Sequence, residues 1–275
     1  MSLHPLPGDP AHNEIREHWN RFSSRYNRIP GQHTFKLLDR FFEDSGSQPL
    51  GGKRVLDLAC GAGRGSRLLA CHGASVDAVD LSEAMLDEAR SENSLPEIKY
   101  HHASGERLPF EEECFDEAFC CLALMLVPNP TLILGELRRV LKRGGRFHVV
   151  VWGRKTHTTL MTLFEDVALE LGLDWPEPPR SNWHLGRPQR LEEIAEDTGL
   201  ALQSHRYVPH PFPLGDRATV ARSFGLDELD SNPRLDFIPA GERARFAEAL
   251  LDEACRRMDR DGGVLILDAL LGVYR

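Results

Sequence analysis

Between residues 54 and 152, short apolar runs of strand length alternate with amphipathic stretches of helical period, and few folds accept that rhythm. Strands joined each time through a helix pair in parallel, and a parallel sheet must be covered on both faces. The expected fold is therefore α/β, a doubly wound and mostly parallel sheet. Strands are expected over 54–59, 75–79, 98–101, 115–122 and 146–152, with helices over 64–71, 82–91 and 131–141. The last helix runs into Lys142-Arg143-Gly144-Gly145, where cations suit the negative helix end and glycine suits a left-handed cap.

Flanking segments read differently. Ile15, Trp19, Phe22 and Tyr26 recur at helical spacing over 12–28, and Phe35, Leu38 and Phe41 repeat this over 34–42. After residue 152 come a helix expected over 158–171 and a stretch rich in Pro and Trp up to residue 188. A helix over 189–198, a strand over 200–208, a helical region over 239–258 and a strand over 264–274 complete seven strands. The expected organisation is one domain over 1–275, with an N-terminal helical cap at 1–50 and a cofactor-binding core at 51–152. Cap insertions are placed at 153–187 and 212–258.

Composition narrows the function. A chain of 275 residues with 41% hydrophobic residues can bury one sizeable core. Its formal charge of -9 argues against a protein that gains affinity by neutralising phosphates, so no nucleic-acid partner is expected. The six cysteines form no Cys-x-x-Cys pair and no zinc-like group with histidine, so no metal site or disulfide framework is expected. Residues 1–10 do not read as a secretory signal, and no apolar run approaches the roughly 20 residues a membrane span needs. A soluble, cytoplasmic protein is the expectation, with self-association into a homodimer left open.

The chemistry concentrates at Val55-Leu56-Asp57-Leu58-Ala59-Cys60-Gly61-Ala62-Gly63-Arg64-Gly65-Ser66. A strand ending in a glycine turn that opens a helix places backbone N–H groups beside a ligand. Gly61 and Gly63 allow close approach. Asp80, at the end of the second strand, stands where a carboxylate accepts hydrogen bonds from ribose hydroxyls. That much also suits a dinucleotide. However, Ser66 replaces the third glycine of the dinucleotide pattern, and Asp57 puts an acid near the turn, which suits a cationic ligand better than a pyrophosphate.

Further matches follow in order. Val79-Asp80-Leu81-Ser82-Glu83-Ala84-Met85-Leu86, Leu108-Pro109-Phe110, Phe115-Asp116 and Glu136 to Gly145 complete a pattern that resembles a class I S-adenosylmethionine-dependent methyltransferase. The resemblance covers roughly 26–152 and is to the small-molecule subgroup that includes the ubiquinone and menaquinone biosynthesis C-methyltransferases. It implies that Asp57, Ala59 and Gly61 surround the methionine part, with Gly63 close by, and that Asp80 holds the ribose. Leu81 and Met85 would flank the adenine, although core packing accounts for both equally well. Ser104, Gly105 and Glu106 would lie at the adenine edge, Cys121 and Leu122 would face the sulfonium, and Tyr26 would cover the methionine end. One departure stands out: the family usually carries Asp where this chain has Ser104.

The resemblance implies S-adenosylmethionine as cofactor and direct in-line transfer to a small-molecule acceptor at O, N, C or S. Alternatives are an RNA or protein methyltransferase and a noncatalytic S-adenosylmethionine-binding protein. The residues after Cys121 do not form the Asn/Asp-Pro-Pro-Tyr/Phe run of amino-methylating nucleic-acid enzymes. No motif supplies a general base. Among the histidines of the additions, His157 and His184 are the candidates singled out, with His205 and His210 behind them. Trp152, Trp175 and Trp183 flank the insertion, where aromatics wall an apolar pocket or simply pack.

Overall fold

A computed structural model of the chain describes residues 10–28, 37, 39, 40, 50–176, 181–226, 229–231 and 235–275. The elements are α1 (Pro10–Arg28), β1 (Arg54–Leu58), α2 (Arg64–Cys71), β2 (Ser75–Asp80), α3 (Glu83–Glu92), β3 (Ile98–His102), β4 (Phe115–Cys121) and α4 (Pro130–Val140). They continue with β5 (Leu141–Trp152), α5 (Leu163–Glu170), α6 (Pro188–Ala195), β6 (Leu202–Phe212), α7 (Arg217–Phe224), α8 (Arg243–Arg260) and β7 (Leu265–Tyr274). The helix expected over 34–42 falls almost wholly outside the described residues.

Among these residues seven strands form one sheet in the order β3-β2-β1-β4-β5-β7-β6. Parallel pairing sets Val55 of β1 beside Val76 of β2 on one side and Glu117 of β4 on the other. The chain winds one way from β1 to β3 and the other way from β4 onward. At such a reversal the loops leaving the carboxyl ends of β1 and β4 diverge, which opens a crevice. β6 and β7 are antiparallel where they meet, because Ala201 and Arg275 exchange both backbone hydrogen bonds at 3.0 Å.

Contacts divide the chain into two compact units. The first comprises Met1–Val151, Arg187–Arg206 and Leu270–Arg275. Val55 and Leu56 of β1, Leu69 of α2, Leu86 of α3 and Leu134 and Leu137 of α4 are fully buried in it. The second comprises Trp152–Gly186 and Tyr207–Ala269. Its core includes edge-on ring contacts between Phe164 and Phe224 and between Trp175 and Phe237, so Trp175 packs within this unit. Arg257 is buried there, donating to Asp166 and Glu253 at 2.7 Å each.

Three local expectations are corrected. α4 stops at Val140 rather than at the glycine pair, because Leu141 is already extended opposite Phe115. Five residues of β5 then span what two residues of β4 span before Arg146 pairs with Glu117, and Gly144, at φ +79°, turns that bulge instead of capping a helix. The helix expected over 158–171 begins only at Leu163, since the hydroxyls of Thr158 and Thr159 accept from the backbone N–H groups of Asp268 and Ile266. Finally α7 was not foreseen, although its signals are present: Asp216 accepts from Thr219 N at 2.8 Å at the start, and Gly225 closes it at φ +65°.

Candidate functional site

β1 delivers the chain into a tight turn. Ala59 leaves the strand at φ +56°, Cys60 N donates to Val79 O at 3.0 Å, and Gly61 and Gly63 follow at φ +53° and +78°. Gly63 has no room for a side chain, because a Cβ there would lie 2.4 Å from the Tyr100 hydroxyl and 2.9 Å from Ala89 Cβ. A Cβ on Gly61 would meet nothing within 4 Å. The turn is held from outside by Asn93, whose Nδ2 donates to Ala62 O at 2.8 Å.

Asp80 ties the first turn to the second. One carboxylate oxygen accepts from Gly61 N and the other from Ser82 N, each at 2.8 Å. Burial pushes its carboxyl up, and these two hydrogen bonds hold it back toward the ionised form. Each oxygen keeps a further lone pair for a ligand hydroxyl.

At the end of β4, Leu122 sits at φ +57° while its N–H donates to Val150 O at 2.7 Å. A bulky residue in the left-handed region is an outlier that costs on the order of 1–3 kcal/mol and persists only where surroundings impose it. With Ala59 it places left-handed, non-glycine backbone at both diverging strand ends.

Between them lies a cavity of about 910 Å3 counting its open mouth, lined entirely by residues of the first unit. Of the residues expected at the cofactor, Ala59, Gly61, Asp80, Leu81, Met85, Ser104, Gly105, Glu106, Cys121 and Leu122 line it. A Cβ on Gly105 would come within 2.9 Å of Leu58 Cδ1 and 3.3 Å of Ile133 Cδ1, so Gly105 packs closely against both. Ser104 accepts from Glu106 N at 3.2 Å and so braces its own loop. Gly63 and Asp57 are not among the lining residues, and the side chain of Tyr26 lies outside the described residues. His157 is exposed on a single 3-10 turn beside Thr156, and His184 meets Ser181 O at 2.7 Å; both belong to the second unit.

Sequence reasoning passed over His12, Leu126, Val127, Pro128 and Ile133, which also line the cavity, and saw Ile15 and Trp19 only as helix periodicity. The available signal was that His12, Ile15 and Trp19 are spaced i, i+3, i+7 on one helix face. Cys120 and Cys121 face the cavity as thiols, burial pushing Cys120 up to about 12 and Cys121 higher still. Neither supplies a thiolate near neutral pH.

Asp57 lies buried under the turn, where Ser66 Oγ donates to its Oδ2 at 2.6 Å. Burial raises its carboxyl to about 7, the Ser66 hydrogen bond opposes the rise, and the neighbouring Asp80 charge adds to it. The folded value lies above the ordinary 3.8, so Asp57's contribution to stability is fully present below that value and is lost as pH rises through about 7. Asp57→Asn is therefore expected to stabilise the unliganded protein by about 2–4 kcal/mol at pH 8 and to change little at pH 4. Urea unfolding at the two pH values checks this, and an equal effect at both would refute it.

Two elements define the class: a doubly wound sheet with a crevice at its switch point, and a glycine turn tied to the buried carboxylate that ends β2. The sequence profile of the methyltransferase domain matches residues 56–149. A ubiquinone biosynthesis O-methyltransferase from Coxiella burnetii is 31% identical over 183 residues, 66% of this chain and 76% of that protein. A demethylmenaquinone methyltransferase from Clavibacter sepedonicus is 42% identical over 99 residues, which span 36% of this chain but only 40% of that protein. The crystal structure of the [4+2]-cyclase SpnF superposes with a TM-score of 0.62 over 99% of this chain and 98% of that one at 18% identity, a likeness of fold alone. The chain belongs to the class I S-adenosylmethionine-dependent methyltransferases, resembling the quinone-biosynthesis members, and S-adenosylmethionine is its cofactor.

Proposed function

We propose that this enzyme transfers the methyl group to the O, N, C or S nucleophile of a small molecule by direct in-line displacement, and that its acceptor has an apolar body. The observation that carries the reading is the cavity wall beyond Cys121 and Leu122, where Leu126, Val127 and Pro128 add apolar surface and no charge. One named relative is a ubiquinone biosynthesis O-methyltransferase and another a demethylmenaquinone methyltransferase, which agrees with an apolar acceptor.

When bound, S-adenosylmethionine supplies a methyl already activated on a sulfonium. The residues' work is then placement and exclusion of water. In this proposal Asp80 accepts the ribose hydroxyls, the Gly61 turn and Ala59 bring backbone against the methionine part, and Leu81 and Met85 pack against the adenine. Gly63 permits the turn without touching the ligand, and Asp57 sets the field beneath it. Acceptors that ionise readily need little help from a base, which accords with the thiols and aliphatic groups at the end of β4.

A cytoplasmic site of action belongs to the same proposal: the six cysteines are free thiols, as a reducing compartment leaves them. No helix among the described residues is long and apolar enough to cross a membrane. The test is incubation with methyl-labelled donor and a panel of phenols, quinol precursors, amines, thiols, RNA and protein. Label in a small molecule is expected; label in RNA or protein and in no metabolite would overturn the acceptor class.

A further inference from the structure

We infer that α1 is a strap across the donor cavity, latched by His12 and Glu106, and that this latch sets how long the methyl donor and its demethylated product stay bound. The inference rests on the donor reading above and extends it to a segment outside the matched domain, which begins at residue 56.

α1 presents one face inward. His12, Ile15 and Trp19 follow one another at three- and four-residue intervals and all line the cavity, while Glu14, Glu17 and His18 are exposed. Two polar attachments hold the helix. Near its start, His12 Nε2 lies 3.0 Å from Glu106 Oε2, with both side chains more than nine-tenths buried. Eight residues later, about 12 Å along the helix axis, Asn20 Oδ1 accepts from Ser82 Oγ at 2.6 Å.

The far ends of these attachments are not scattered over the protein. Glu106 follows Ser104 and Gly105 in the loop after β3, and Ser82 follows Asp80 and Leu81 after β2, so α1 is pinned to the two segments assigned to the adenosine part of the donor. Ser82 also caps α3 by accepting from Met85 N at 3.2 Å, which couples the second attachment to a rigid helix.

A ligand in the cavity thus has α1 as part of its wall. On this inference a ligand leaves past α1, and the His12–Glu106 contact is the one that parts at the end nearest the 104–106 loop. Parting two buried polar groups is costly because each must then find another partner or water.

The experiment is stopped-flow displacement of S-adenosylhomocysteine from the full chain, read through Trp19 fluorescence and repeated with labelled ligand. His12→Ala and Glu106→Ala are each expected to speed dissociation about tenfold or more while association changes less than threefold. The double variant His12→Gln/Glu106→Gln, which replaces the pair with an amide hydrogen bond, is expected to recover slow release. Hydrogen exchange of residues 10–28 is expected to slow on ligand binding in the wild type and much less in His12→Ala, and it also verifies that each variant is folded. Dissociation unchanged within twofold in folded variants, with tight binding by the wild type, would overturn the strap alone. No binding by the wild type would overturn the donor reading and the strap with it. An effect of His12→Ala confined to the rate of methyl transfer in a single turnover, with release unaltered, would also overturn the strap and make His12 a proton acceptor instead.

Discussion

Glu117→Ala is expected to lower the unfolding free energy at pH 7 by about 3 kcal/mol or more, as removal of one partner from a buried charged cluster does. Glu117 stands on β4 with only 4% of its side chain exposed. Lys53 Nζ approaches it at 2.8 Å and Arg146 Nη2 at 2.6 Å, while the His148 ring, stacked on Phe119, makes a further short contact through Nε2. Burial opposes its ionisation, yet the hydrogen bonds from His148 and Arg146 and the surrounding cations hold its carboxyl down at about 2. His148 is kept toward neutrality by its own burial, which the carboxylate opposes, so the negative charge resides on Glu117.

The pH dependence has a definite sign. The folded value lies below the ordinary 4.5, so the stabilisation is present above that pH and lost as pH falls toward about 2. Urea midpoints of wild type and Glu117→Ala should differ most at pH 7 and converge toward pH 2. Curves that stay parallel down to that pH would show that the carboxylate's charge is not what stabilises this end of the sheet.

Asp80→Ala is expected to weaken S-adenosylmethionine binding about 100-fold or more, roughly 2.7 kcal/mol. Two effects combine. The ligand loses an ionised acceptor, and charged hydrogen bonds are each worth about 1.5–3 kcal/mol. The Gly61 and Ser82 N–H groups also lose the carboxylate that fixes both turns. Asp80→Asn, which keeps one carbonyl acceptor, should fall between the two. Calorimetric titration decides it, and near-wild-type affinity in Asp80→Ala would remove Asp80 from the donor site.

Much of the cavity wall was legible in the residue order because its determinants are local. Gly61 and Gly63 are needed where φ is positive, and Asp80 reaches Gly61 across two adjacent parallel strands whose length and spacing can be read directly. Gly144 shows the limit of such reading. A glycine after a helical run suits a helix cap, but the register between β4 and β5 required a bulge there instead, and register depends on a partner strand that local pattern does not contain.

The same distinction separates what the sequence by itself determined from what only the tertiary structure decided. The alternation of apolar runs determined the α/β class, because it rests on neighbours within a few residues, and the ordered matches between residues 55 and 145 carried the resemblance that implied the methyl donor. Tertiary structure decided that β7 inserts between β5 and β6, that Asp57 lies beneath the turn against Ser66 instead of lining the cavity, and that Leu122 is forced into a left-handed backbone. It also brought His12 against Glu106 across 94 positions of chain, where both are buried. No periodicity encodes such a pairing, because its energy arises only after the intervening strands have folded and removed both groups from water.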